Sequence, residues 1–195
     1  MPKDRLKEFM SGFAGAAELK ARAASNGYFI EAVILAATLI DGMLRIGLIL
    51  RHQLDAHTSD IPNDLLVQRA DDRGIVERQI YERARQANVI NELLLTELQA
   101  LYSERNRIVH RYLLTDITTQ DVFEIGIRYE RALQSVEEAI AVLEQEQLAQ
   151  GVGMVENGDS DRDSEPTVDQ MATIKHGSLR LAERLRRDIR GHHKT

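Results

Sequence analysis

Residues Tyr28 to Leu50 read "YFIEAVILAATLIDGMLRIGLIL", and what this stretch is decides the fold. Its length and hydropathy suit a membrane span. It also carries Glu31, Asp41 and Arg45. Charges at the middle of a bilayer are expensive, whereas on a helix of a water-soluble bundle they occupy a polar stripe. Asp41 and Arg45 lie four apart, on one helix face, and are placed to pair. The stretch reads as a central bundle helix, so no membrane association is expected.

Working outward, the flanking chain repeats the helical period. Between Lys3 and Ala24, apolar residues recur at Leu6, Phe9 or Met10, Phe13, Ala16 or Ala17 and Leu19, the spacing of one helix face. The Gly and Ala content of this first helix lets a neighbour approach closely. "SNG", Ser25 to Gly27, ends it, with Gly27 suited to the left-handed position after a helix. The second helix then runs from Tyr28 to the neighbourhood of Leu54. "DAHTSDIPNDLL" breaks the period, with Pro62 as punctuation.

A third helix is predicted from Gly74 to Asn88, with Val76, Ile80 and Ala84 on one face. Asn91 is a good N-cap for a fourth. The apolar seam of that helix is Leu94, Leu98, Leu101, Ile108, Val109 and Tyr112. "LLTDITTQD" turns the chain, with Thr118 or Thr119 as the next cap. A fifth helix continues to Gln147, with Val122, Ile125, Tyr129, Leu133, Val136 and Ile140 in step. Five helices with short connections predict an all-α antiparallel bundle over residues 1–150.

The composition changes at Gly151. "GVGMVENGDSDRDSEPTVDQ" is polar and acidic without periodicity, which predicts a flexible linker over 151–177. Asp159, Asp161 and Asp163 alternate as in a calcium loop, but Ser164 stands where the turn glycine is needed and Gln170 where a bidentate Glu belongs. Calcium is excluded on those grounds. Residues 178–195 are basic, and a short helix is predicted from Ser178 to Arg190.

The whole chain has 195 residues, a formal charge of −6 and no cysteine. Without Cys there is neither a disulfide nor a thiolate metal site. The opening "MPKDRLKEFM" lacks the apolar run of a signal peptide, so a cytoplasmic location is expected. Negative net charge argues against a protein that coats nucleic acid. It leaves room for a basic groove.

The chemistry is concentrated in "LYSERNRIVHRYL", Leu101 to Leu113. Helical steps from Leu98 and Leu101 arrive at Arg105 before Ile108 and Tyr112, so a guanidinium stands where the seam asks for an aliphatic side chain. It must be paired or face a cleft, because burying it alone is costly. Asn106 and His110 are four apart and share a face, as do Arg107 and Arg111. Arg105 and His110 are five apart and diverge by about 140°. One helix does not easily bring both onto one small group, whereas two copies meeting across a two-fold axis can. The bare Arg-to-His spacing recurs at Arg187, Asp188 and His192, where Gly191 ends the helix. That instance reads as coincidence.

"RNRIVHRY" resembles the signature of the HEPN superfamily, an Arg, a polar residue and then a His on a late helix of an all-helical bundle. Tyr112 extends the likeness to the toxins of HEPN/MNT toxin–antitoxin pairs. The run-up from Gly74 and the helix that follows to Glu146 also look like such a domain. The resemblance implies a metal-independent endoribonuclease without cofactor, a homodimer whose two motifs join at the interface. Arg105, Asn106 and His110 would be catalytic, and Arg107 and Arg111 would seat the RNA backbone. RNA supplies its own nucleophile, the 2′-hydroxyl, and an imidazole that titrates near neutral pH can move the proton. Arg105 would offer fixed donors as charge develops on phosphate. Tyr112 keeps two readings, a core aromatic or, by the resemblance, a residue modified by a nucleotidyltransferase-type antitoxin. Two other classes stay open: a non-enzymatic HEPN regulator, and a helical adaptor that binds through its basic tail.

Overall fold

The computed structural model describes residues 2–66 and 74–153. Their regular structure is entirely helical: α1 (Pro2–Ser25), α2 (Phe29–Ala56), α3 (Glu77–Gln86), α4 (Glu92–Arg111) and α5 (Thr119–Gln150). Short 3-10 turns at Asn63–Leu65 and Tyr112–Leu114 sit in the α2–α3 and α4–α5 connections. The expected linker beyond Gly153 and the expected basic tail, 178–195, lie outside the described residues.

Helix ends follow local chemistry. Gly27 takes φ of 73° after α1, a region that favours glycine. The Asn91 side chain accepts from the Leu94 N–H at 2.9 Å and caps α4. Of the two threonines, Thr118 is the cap of α5, in a reciprocal box with Asp121. The third helix is shorter than its pattern predicts. Val76 is extended, at φ −73° and ψ 149°, and Asn88 has φ of 55°, so neither end of the Gly74 to Asn88 stretch is helical.

Helix α2 is the centre of the fold and packs against α1, α3, α4 and α5. Among the described residues it is the one helix long and apolar enough to cross a membrane. Its surroundings explain that composition. Four successive residues, Gly42, Met43, Leu44 and Arg45, are all buried, so no face is left for water along that turn. A helix segment enclosed in this way reads apolar all round, whereas nearer the start of α2 Glu31, Ile34 and Thr38 are exposed.

Arg45 pairs with Asp41 at 2.7 Å, but it does not lie on an open polar stripe. It is 8 % exposed, and its guanidinium donates to the carbonyls of Leu65 at 3.4 Å and Ile75 at 3.1 Å. Those carbonyls lie in the α2–α3 connection, outside the α-helices. Buried polar groups need such partners, so the arginine serves as an internal clamp.

Close approach of neighbours is carried by glycines of α2. A Cβ at Gly42 would stand 3.2 Å from the Phe13 ring of α1. At Gly47 it would stand 2.6 Å from Cγ1 of Val89, in the α3–α4 connection. Since Val89 is itself buried, neither partner can swing away. Gly47→Ala is therefore expected to destabilise the fold by about 1–3 kcal/mol, the usual cost of overpacking. Adding Val89→Ala should return part of that loss in urea denaturation. An unchanged midpoint for the single variant would show that the contact relaxes freely.

Candidate active site on helix α4

Helix α4 is held firmly on two sides. On the α5 side, Arg128 bonds Glu97 at 2.9 and 3.2 Å and Glu104 at 2.8 and 2.7 Å. The buried Tyr129 hydroxyl donates to the Leu101 carbonyl at 3.0 Å. On the α3 side, Gln99 donates to Glu82 at 2.6 Å and Arg85 to Glu92 at 2.7 Å. Leu95, Leu98, Leu101 and Ile108 form the buried face of α4. The predicted seam is therefore partly shifted, because α3 and α5 bracket the helix. Leu94 is half-buried, and Val109 is 45 % exposed.

Arg105 stands two turns beyond Leu98 on that buried face, and its charge is answered there. Nη1 donates to Glu77 Oε2 at 2.5 Å, and Nη2 donates to Asn106 Oδ1 at 3.0 Å. The guanidinium also lies over the Tyr102 ring, 4.9 Å from its centroid, within cation–π range. The second oxygen of Glu77 accepts from the hydroxyl of Tyr81, one turn further along α3. This is a closed set of partners from two helices, with the Arg105 and Glu77 side chains 17 % and 16 % exposed.

Electrostatics keep each group in its hydrogen-bonding form. Burial works most strongly against the charge of Arg105, but the charge and hydrogen bond of Glu77, with smaller contributions from Tyr129 and Tyr81, together outweigh it and raise the guanidinium's pKa. The Tyr81 phenol is pushed well above its ordinary range by burial and by Glu77, so it stays protonated and donates. Tyr129 is raised as well, chiefly by burial.

The rest of the motif faces outward. Arg107, His110 and Arg111 are exposed. No ion pair among the described residues involves them. Arg107 does help hold the Asp121 carboxylate below its usual range, after the larger effects of the Thr118 N–H and hydroxyl. Asn106 gives its carbonyl oxygen to Arg105, leaving its NH2 for another acceptor. Helix α4 ends at Arg111, and Tyr112 opens the 3-10 turn while still packing against the core, as a core aromatic does. Its side chain is half-buried, with the hydroxyl 3.3 Å from Thr119 Oγ1. It borders a groove of 380 Å³ shared with Tyr28, Phe29, Ile30 and Glu31.

The structure thus joins Arg105 and Asn106 by a hydrogen bond and leaves His110 exposed, with no hydrogen bond to either among the described residues. Glu77, Tyr81 and Tyr102 were missing from the sequence reading. Glu77 and Tyr81 are four apart on α3, and Tyr102 precedes Arg105 by three, so each spacing was visible. With 31 acidic residues in the chain, nothing local marks Glu77 as the partner. Among the described residues no group of three His, Asp or Glu side chains is placed to hold a metal ion. The chain matches no family model, no curated protein and no solved structure.

Proposed function

We propose that the protein is a metal-independent endoribonuclease of the HEPN type, working as a cytoplasmic homodimer with an antiparallel five-helix arrangement. The observation that carries this reading is the division within the motif. Arg105 is fixed in place by Glu77 and Asn106, while His110, one turn beyond Asn106, is open to solvent. A guanidinium has five N–H donors, and two of these are engaged. Among the described residues, the other three have no hydrogen-bond acceptor and are available to phosphate oxygens.

In this mechanism one His110 imidazole takes the proton of the RNA 2′-hydroxyl. The hydroxyl oxygen attacks the adjacent phosphorus, and negative charge developing on the phosphate is met by Arg105. The bond to the 5′-oxygen breaks, and the second protomer's His110, acting in its protonated imidazolium form, gives its proton to the leaving oxygen. The product is a 2′,3′-cyclic phosphate. Arg107 and Arg111 seat the flanking backbone. Single-stranded or loop RNA is favoured, since its backbone can turn in line for attack. Toxin or defence activity fits such an enzyme, with Tyr112 as the residue a nucleotidyltransferase antitoxin would modify.

The dimer belongs to this reading because Arg105 and His110 diverge by about 140° on one helix, which does not easily bring both onto one phosphate. An isologous interface sets each motif opposite its copy. Light scattering at micromolar concentration should give twice the chain mass, and dilution to monomer should extinguish cleavage. A fully active monomer would end the composite site. The reading as a whole is tested by incubating mixed RNA in EDTA and looking for cyclic-phosphate ends.

A second reading is favoured by one contact. The pairing with Glu77 already compensates the charge of Arg105, which is also what a structural arginine in a non-catalytic HEPN regulator requires. That protein would bind its ligand without generating cyclic-phosphate ends.

A further inference from the structure

We propose that Glu77 is a positioning residue for Arg105, one that orients the guanidinium for turnover and at the same time holds down its affinity for RNA. The inference rests on the ribonuclease reading above and extends it to a residue on α3, outside the motif.

Three contacts carry it. One Glu77 oxygen takes Arg105 Nη1 at 2.5 Å. The other is anchored by the Tyr81 hydroxyl, and Tyr81 is completely buried. The other terminal nitrogen, Nη2, is held by Asn106 at 3.0 Å, and the Tyr102 ring lies against the guanidinium. A carboxylate fixed by a buried phenol is a rigid counter-ion, unlike a mobile surface acid. Together with Asn106 and the Tyr102 ring it fixes the orientation of the guanidinium, and so the directions of the N–H groups that no described residue takes.

The same carboxylate neutralises the charge that a phosphate would otherwise meet. An arginine paired in this way contributes less to ground-state anion binding than a free one. Its directed donors still act when charge builds up on the phosphate, and interactions stronger in the transition state than in the ground state raise turnover. Removing the Glu77 charge should therefore push affinity and turnover in opposite directions. A residue needed only for folding moves both the same way, in proportion to the folded fraction.

The test compares wild type, Glu77→Gln, Glu77→Asp and the Glu77→Gln/Arg105→Ala pair with Arg105→Ala alone, all as full chains. Affinity is measured with a 2′-O-methyl oligoribonucleotide, which lacks the nucleophile and stays intact. Single-turnover cleavage is measured with the unmodified strand at saturation. Glu77→Gln should bind more tightly at low salt, with a salt slope steeper by about 0.7, the value for one additional phosphate contact to a single strand. Its turnover should fall at least tenfold. Glu77→Asp keeps the charge but is one methylene shorter, so affinity should return to wild type while turnover stays low. In the Arg105→Ala background, Glu77→Gln should leave binding unchanged.

Weaker or equal binding by Glu77→Gln overturns the proposal, as does the same change with and without Arg105. So does failure of every variant to bind. Wild type that binds the 2′-O-methyl strand and never cleaves the unmodified one removes the ribonuclease reading alone, because the affinity and salt arms still decide the role of Glu77.

Discussion

His110→Ala should abolish RNA cleavage and leave the fold as it is. The side chain is exposed near the C-terminal end of α4, and it is no part of the partner set around Arg105. Truncating a surface residue of this kind shifts stability by no more than about 0.5 kcal/mol. General acid–base catalysis by one imidazole accounts for about 10²- to 10⁴-fold in rate, and in a symmetric dimer the substitution removes both copies at once. Cleavage should therefore fall by at least the larger factor, with an unchanged helical circular dichroism spectrum and melting temperature. Binding of the 2′-O-methyl strand should persist, because the arginines are untouched. Full cleavage by this variant would remove the assignment of the active site to α4.

Arg105→Ala should behave differently, losing stability as well as activity. Without the guanidinium, Glu77 is left as a charge in a site where its side chain is only 16 % exposed. Breaking a largely buried pair by removing one partner costs about 3–5 kcal/mol, since the remaining charge is uncompensated. Tyr81 then donates to a carboxylate that has lost its cation. The double variant Glu77→Gln/Arg105→Ala should recover much of that stability, because no buried charge is stranded. It should recover none of the cleavage. Denaturation of the four members of this cycle gives the coupling between the two residues directly. A single variant as stable as wild type would mean that solvent reaches Glu77 freely and that the pair is a surface ornament.

The contrast between these two variants follows from burial and pairing, only part of which is legible in the sequence. Periodicity in the sequence determined that the chain is helical, and turn residues such as Gly27, Asn91 and Thr118 placed three of the boundaries within a residue or two. Those signals are local, written in the four or five residues that make each cap. The misplaced guanidinium at Arg105 and the Asn106–His110 register were legible for the same reason, since helical geometry converts spacing into direction. The sequence also showed that Arg105 must find a partner.

Which partner it finds was decided only by tertiary structure. Glu77 is 28 positions away, and its meeting with Arg105 depends on how α3 lies against α4. The packing of these helices is set by buried aliphatic faces and by the Arg85–Glu92 and Gln99–Glu82 contacts, whose long side chains tolerate several registers in sequence. The enclosure of α2 is of the same kind. Its hydropathy is equally compatible with lipid and with other helices, and the choice rests on whether neighbours exist to cover most of its apolar surface. Arg45 illustrates the rule at a single residue. Its pairing with Asp41 needs only one helical turn, whereas its grip on the Leu65 and Ile75 carbonyls needs the chain to return over α2. Contacts within a turn can be read along the chain, and contacts between turns exist only after the chain has folded, because backbone geometry links the first and the burial of distant apolar faces links the second.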